Sequence, residues 1–103
     1  MSQHVIIKHN RHGMELVLDH KISFEELLKA IIEKFQTSGD FFKDKKMVVS
    51  FKGRELSEKE MIRIVNTIME NSAIQIVSIM DNDSELEKRM NARMDEYNHS
   101  MKQ

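Results

Sequence analysis

A chain of 103 residues fits a single domain with one core, large enough to bury about two-thirds of the surface that its unfolded form exposes. Sixteen Lys and Arg stand against 17 Asp and Glu, a formal net charge of −1, so no domain-wide basic field favours a nucleic-acid partner. The absence of cysteine excludes disulfides, thiolate zinc sites and thiol catalysis; no apolar run is long enough to span a bilayer, the first residues carry no signal-peptide pattern, and the expected location is the cytoplasm.

The chain opens on His4-Val5-Ile6-Ile7-Lys8, a β-branched run, followed by the turn formers of Asn10-Arg11-His12-Gly13 and then Met14-Glu15-Leu16-Val17-Leu18-Asp19. This is the pattern of a β-hairpin. Met14, Leu16 and Leu18 alternate with Glu15, Val17 and Asp19, so one side of the second strand faces a core and the other side is mixed. Ser23 with Glu26 has the spacing of a capping box, and Phe24, Leu27, Leu28, Ile31, Ile32 and Phe35 recur on one face of the helix it opens. Thr37-Ser38-Gly39 closes that helix, because glycine takes the positive φ of a helix C-terminus. The charged loop Asp40-Phe41-Phe42-Lys43-Asp44-Lys45-Lys46 then leads to a strand at Met47-Val48-Val49-Ser50-Phe51.

After the polar connection at residues 52–56, Ser57 and Glu60 repeat the capping-box spacing, and Met61, Ile64, Val65, Ile68 and Met69 mark a second amphipathic helix ending near Asn71. Ala73-Ile74-Gln75-Ile76-Val77-Ser78-Ile79 is a further strand, and the strand, helix, strand succession predicts a parallel pair joined by a right-handed crossover. Ser84 and Glu87 give a third capping box. Leu86, Met90, Met94, Tyr97 and Met101 then form a narrow apolar stripe that either docks on the domain or pairs with its copy in a second chain. The predicted fold is α/β in the α+β sense: a mixed sheet of about four strands covered by two helices on one side, in the order β-β-α-β-α-β-α, with a C-terminal third helix. The expected division is a domain over residues 1–82 and a C-terminal helix over 83–103.

Candidate chemistry is sparse. His9 and His12 flank a turn, but a zinc site needs three or four ligands and an orienting outer shell, so no metal and no cofactor are assigned. Ser23, Ser57 and Ser84 are accounted for as helix caps, with neither a base nor an oxyanion hole beside them, so no catalytic residue is assigned and the chain is not read as an enzyme. Binding chemistry is better represented. Phe41 and Phe42 beside Lys43, Lys45 and Lys46 combine large aromatic area with charge, the makeup of an interface anchor and its polar surround. Neighbouring residues in extended chain point opposite ways, so one of the two phenylalanines is expected at the surface. Lys8 ends the first strand and Lys34 lies near the end of the first helix, where its charge favours the helix dipole.

The residues Val5-Ile6-Ile7-Lys8, the turn ending in Gly13, the capped helix closing on Glu33-Lys34-Phe35, and Asp40-Phe41-Phe42-Lys43 running into Met47-Val48-Val49 resemble the amino-terminal domain of the MinC septum-site-determining family. The resemblance covers residues 4–80. It implies a non-enzymatic cell-division inhibitor that binds the division GTPase FtsZ and antagonises its polymers, so that septa do not form at wrong sites. By that resemblance Lys8, Lys34 and Phe41 belong to the FtsZ contact, with Lys43 beside Phe41. A glycine commonly follows the strand-one lysine in the family, where this chain has His9. The family's second domain, a β-helix, dimerises and binds the membrane-associated ATPase MinD; no Gly-rich β-helical sequence occurs here, so the resemblance implies MinD contact only through a missing C-terminal domain. It implies no direct membrane contact, and a homodimer by domain swapping is open to an isolated domain of this kind. The strand and helix order is also similar to that of the anti-sigma-factor antagonists, phosphoswitch binding domains in which Ser57 would be the switch serine; the Asp-Ser pair expected before that helix is absent.

Overall fold

The computed structural model describes residues 4–9, 13–38, 46–80 and 85–92. The elements are β1 (Val5–His9), β2 (Gly13–Leu18), α1 (Phe24–Ser38), β3 (Lys46–Lys52), α2 (Glu58–Glu70) and β4 (Gln75–Ile79), with a further helix, α3, over residues 85–92. Element order and fold class are those expected from the sequence. The four strands form one sheet in the order β1-β2-β3-β4. β1 and β2 make the antiparallel hairpin, with Val5 opposite Leu18 and His9 opposite Met14, whereas β3 runs parallel to β2 and β4 parallel to β3.

Both crossovers step in the same direction across the sheet, and right-handed connections of that kind lay both helices on the same face. The core lies between that face and the helices. From the sheet it takes Val5, Met14, Leu16, Leu18, Met47, Val49, Ile76 and Ile79; from α1 it takes Leu27, Leu28, Ile31 and Phe35; from α2 it takes Met61, Ile64, Val65 and Ile68. Each such side chain contributes roughly 1.5–3 kcal/mol by leaving water. Phe24 and Ile32, predicted on the same helical face, are half-buried at its margins.

The helix ends follow the sequence. Ser57 Oγ accepts from the Glu60 N–H at 3.2 Å while Glu60 Oε1 accepts from the Ser57 N–H at 2.9 Å, a complete capping box, and Asn71 closes α2 by donating to Thr67 and Ile68 carbonyls. At α1 the Glu26 N–H donates to Ser23 Oγ at 3.2 Å. Gly39 and Ser84, the other two expected helix-end residues, lie outside the described residues. Arg54 ties the mouth of α1 to the end of β3: its Nη1 donates to the carbonyls of Asp19 at 3.1 Å and Ile22 at 2.8 Å.

Two strand details depart from the sequence reading. Alternation through Ile74, Ile76 and Ser78 would turn Ile79 outward, but the pairing with β3 shifts at Val77, so Met47 faces Ile76 and Val48 faces Ser78. That β-bulge brings Ile76 and Ile79 to the same buried face. Gly13, read as the end of a turn, is instead the first residue of β2, where a Cβ would stand 2.7 Å from the Val48 carbonyl oxygen. Gly53, in the connection after β3, has a φ of +86°, and a Cβ there would meet the Leu18 carbonyl oxygen at 2.5 Å.

Of the two fates open to the C-terminal stripe, the described part takes the first. Met90 is fully buried in the core. Beside it, Asn91 Oδ1 accepts from the Ile79 N–H at 2.8 Å and from Ser78 Oγ at 3.2 Å, and its Nδ2 reaches the Ile79 carbonyl at 3.4 Å. Because the Met80 N–H bonds to the Val49 carbonyl, the Ile79 backbone groups point away from β3, and Asn91 therefore covers an outer sheet edge in the way a further strand would. Arg89 lies 3.5 Å from Glu58 at the start of α2. Met94, Tyr97 and Met101 are outside the described residues.

Candidate protein-interaction surface

Alternation along each strand settles what the second face of the sheet carries. Opposite the core, the cross-strand rows read Ile6, Val17, Lys52; then Lys8, Glu15, Ser50; then Gly13, Val48, Ser78; then Lys46, Gln75. None of the described helices lies on it. Ile6 is 39% exposed and Met80 59%. Between β2, β3 and the Met80 side chain runs a shallow groove of about 340 Å³, lined by Gly13, Glu15, Val48, Ser50 and Met80. The missing Cβ of Gly13 lets the β3 backbone approach on this face. Among the described residues this face thus carries two apolar patches, Ile6 with Val17 and Val48 with Met80, parted by the polar row of Lys8, Glu15 and Ser50, with Lys52 beside Val17 and Lys46 beyond Val48.

The four residues singled out by the sequence fall in different places. Lys8 is exposed on β1, on the uncovered face. Lys34 is half-buried on α1, on the helical side of the sheet. Phe41 and Lys43 lie outside the described residues. α1 returns antiparallel to β2, so its C-terminal end, the end of β1 and the start of β3 gather at one end of the domain. The sequence reading passed over Ile6, Val17, Val48 and Met80. The signal that could have found them is the pair of same-direction crossovers, which leaves one sheet face without helices.

At the opposite end the hairpin is closed by Asp19, whose N–H donates to the His4 carbonyl. The Lys21 backbone N–H, 2.8 Å from its Oδ1, and then the His4 ring, 2.9 Å from its Oδ2, hold the Asp19 carboxyl below the usual carboxylate range. A second groove, of about 410 Å³, lies between α1 and α2 and is lined by Lys29, Asn66, Glu70 and the pair Arg63 and Glu25, 3.6 Å apart. Both signs of charge are matched there. Among the described residues no three His, Asp or Glu side chains gather as a metal site, and no helix is long and apolar enough to cross a membrane.

Residues 5–79 match the family described as "Cell-division inhibitor MinC, N-terminal domain-like". The chain belongs to the MinC amino-terminal domain family. It is 41% identical over 101 residues to a "Probable septum site-determining protein MinC" of Agathobacter rectalis, covering 98% of this chain and 42% of that protein. Proteins of the same name from Lachnospira eligens and Fusobacterium nucleatum are 37% identical over 86 residues and 31% identical over 88, covering 84% and 85% of this chain and 35% and 41% of theirs. The chain spans less than half the length of each of these MinC relatives. No solved structure gives a significant match.

Proposed function

We propose that this chain is a non-enzymatic, cytoplasmic cell-division inhibitor domain that binds FtsZ and antagonises its polymers, thereby blocking septum formation at wrong sites. The observation that carries the reading is the family match over residues 5–79, within which lie the β1 lysine, the α1 lysine and the Phe-Phe-Lys loop. Lys8, Lys34, Phe41 and Lys43 form the proposed contact, and the convergence of the β1, α1 and β3 ends at one pole of the sheet supports their acting together. Phe41 supplies the apolar anchor; the lysines steer and orient an acidic partner surface. MinD contact is assigned to a separate domain rather than to this one.

Equilibrium titration of fluorescently labelled chain with purified FtsZ tests the reading. Saturable binding that Phe41→Ala weakens by more than tenfold, and Lys34→Ala by less, is the expected result. Absence of saturable binding by the folded wild-type chain contradicts it.

A further inference from the structure

The two edges of the sheet are guarded differently. β1, at one edge, carries the exposed Lys8, and a lysine on an edge strand discourages a foreign strand from pairing there. β4, at the other edge, lies within residues 73–80, which hold Ile74, Ile76, Val77 and Ile79 and no charge, proline or glycine. Such a run pairs readily with another strand. Its guard is α3. Asn91 Oδ1 accepts from the Ile79 N–H at 2.8 Å and Asn91 Nδ2 reaches the Ile79 carbonyl at 3.4 Å, so one side-chain amide stands in for the peptide group of a neighbouring strand. Met90, with no exposed surface, anchors the helix, and Arg89 lies 3.5 Å from Glu58 of α2.

We propose that α3 is a displaceable cover, and that the β4 edge beneath it is a pairing site for β4 of a second copy of this chain, laid antiparallel so that the two sheets become one. The cover is displaceable because helices in proteins are held chiefly by tertiary packing. Loosening Met90 and Asn91 therefore frees α3, while Leu27, Ile31 and Phe35 of α1 and Ile64, Val65 and Ile68 of α2 still hold the sheet. A second copy fits the edge because the strand is complementary to itself. About a two-fold axis at Val77, Ile76 meets Ser78, Gln75 meets Ile79 and Ile74 meets Met80, and no pair sets like charges together. Val77 is 44% exposed, so its side chain is available at the axis. Pairing also covers the apolar surface that Met90 leaves behind. The association closes at two chains, since each β4 edge is used and the outer β1 edges keep Lys8. This pairing does not draw on the FtsZ contact proposed above.

Val77→Cys supplies the reporter, because the chain has no cysteine of its own. Across the two-fold the two Cβ atoms stand about 4.5 Å apart, within reach of a disulfide when diamide is added as the oxidant. In the whole chain, adding Asn91→Ala is expected to speed cross-linking about tenfold over Val77→Cys alone, since losing a partly buried amide that pairs Ile79 raises the open population by roughly that factor. Lys59→Cys, exposed on α2, should cross-link at the same rate with and without Asn91→Ala. Met90→Asp, which expels α3 by burying a charge, is expected to convert monomer to dimer in sedimentation velocity, and a further Val77→Lys to return it to monomer. Should Met90→Asp fail to fold, the Asn91→Ala comparison decides alone, because it leaves the apolar core intact. Equal Val77→Cys rates with and without Asn91→Ala, a folded Met90→Asp chain that stays monomeric, or a dimer that Val77→Lys does not dissociate overturns the proposal.

Discussion

Replacing Met90 by alanine tests whether α3 is part of the folded domain. Met90 has no exposed surface and packs into the core, and truncation of a buried methionine to alanine costs about 2–5 kcal/mol. Against a total stability of roughly 5–15 kcal/mol for a domain of this size, that is a large share. Asn91→Ala is expected to cost less, about 1–2 kcal/mol, since it removes a partly buried amide that satisfies the Ile79 N–H. Both side chains hold the same helix to the domain, so once one is gone the other has less to hold, and the double variant loses less than the sum of the singles. Urea unfolding with a fluorescent or circular-dichroism readout gives the values, and thermal melting should fall by roughly 4 °C or more per kcal/mol lost. A Met90→Ala loss below about 0.5 kcal/mol, the range of ordinary surface substitutions, would refute the docked helix.

Further predictions concern the backbone and the hairpin. Gly13→Ala forces a Cβ to within 2.7 Å of the Val48 carbonyl oxygen, and the strands must separate at a cost of about 1–3 kcal/mol, read as a lower urea midpoint. Gly53→Ala adds positive-φ strain of about 1–3 kcal/mol to a similar clash and should be the more damaging of the two in the same assay. Ser57→Ala, which removes one arm of the α2 capping box, is expected to cost about 1 kcal/mol. The Asp19 carboxyl is lowered by the Lys21 N–H and the His4 ring, so its contribution is present above the ordinary aspartate pKa and lost as pH falls through its lower folded value. Melting curves of wild type and Asp19→Asn should therefore differ by a constant amount near neutrality and converge in acid; a gap that persists at the lowest pH contradicts this linkage.

The helices and their polarity were legible because their determinants are local. Ser57 and Glu60 are three residues apart, and the buried faces of α1 and α2 repeat within one or two turns. The hairpin and the parallel pairing of β3 with β4 were legible because a tight turn and a short crossover join neighbouring strands, whereas the parallel pairing of β2 with β3 was not read from the sequence. What escaped depends on contacts between distant segments. The need for glycine at position 13 comes from the Val48 carbonyl 35 residues away in sequence, and nothing near Gly13 announces it. The bulge at Val77 is equally invisible, since Ile74, Ile76 and Ser78 alternate without a flaw; the buried Ile79 is explained only by pairing with β3. The apolar stripe of α3 suited docking and self-pairing alike until Met90 was seen in the core. For the candidate site, the positions of Lys8 at the end of β1 and of Lys34 near the end of α1 were legible from the local pattern, but not that Lys8 lies on the helix-free face of the sheet while Lys34 is half-buried on the helical side.

Sedimentation of FtsZ with GTP measures directly the proposed action of this chain on FtsZ assembly. As wild-type chain is titrated in, the pelleted fraction of FtsZ should fall in a saturable way, and Phe41→Ala should shift the half-effect to at least tenfold higher concentration. An unchanged pellet at a molar excess of folded wild-type chain would contradict the proposed antagonism of FtsZ polymers.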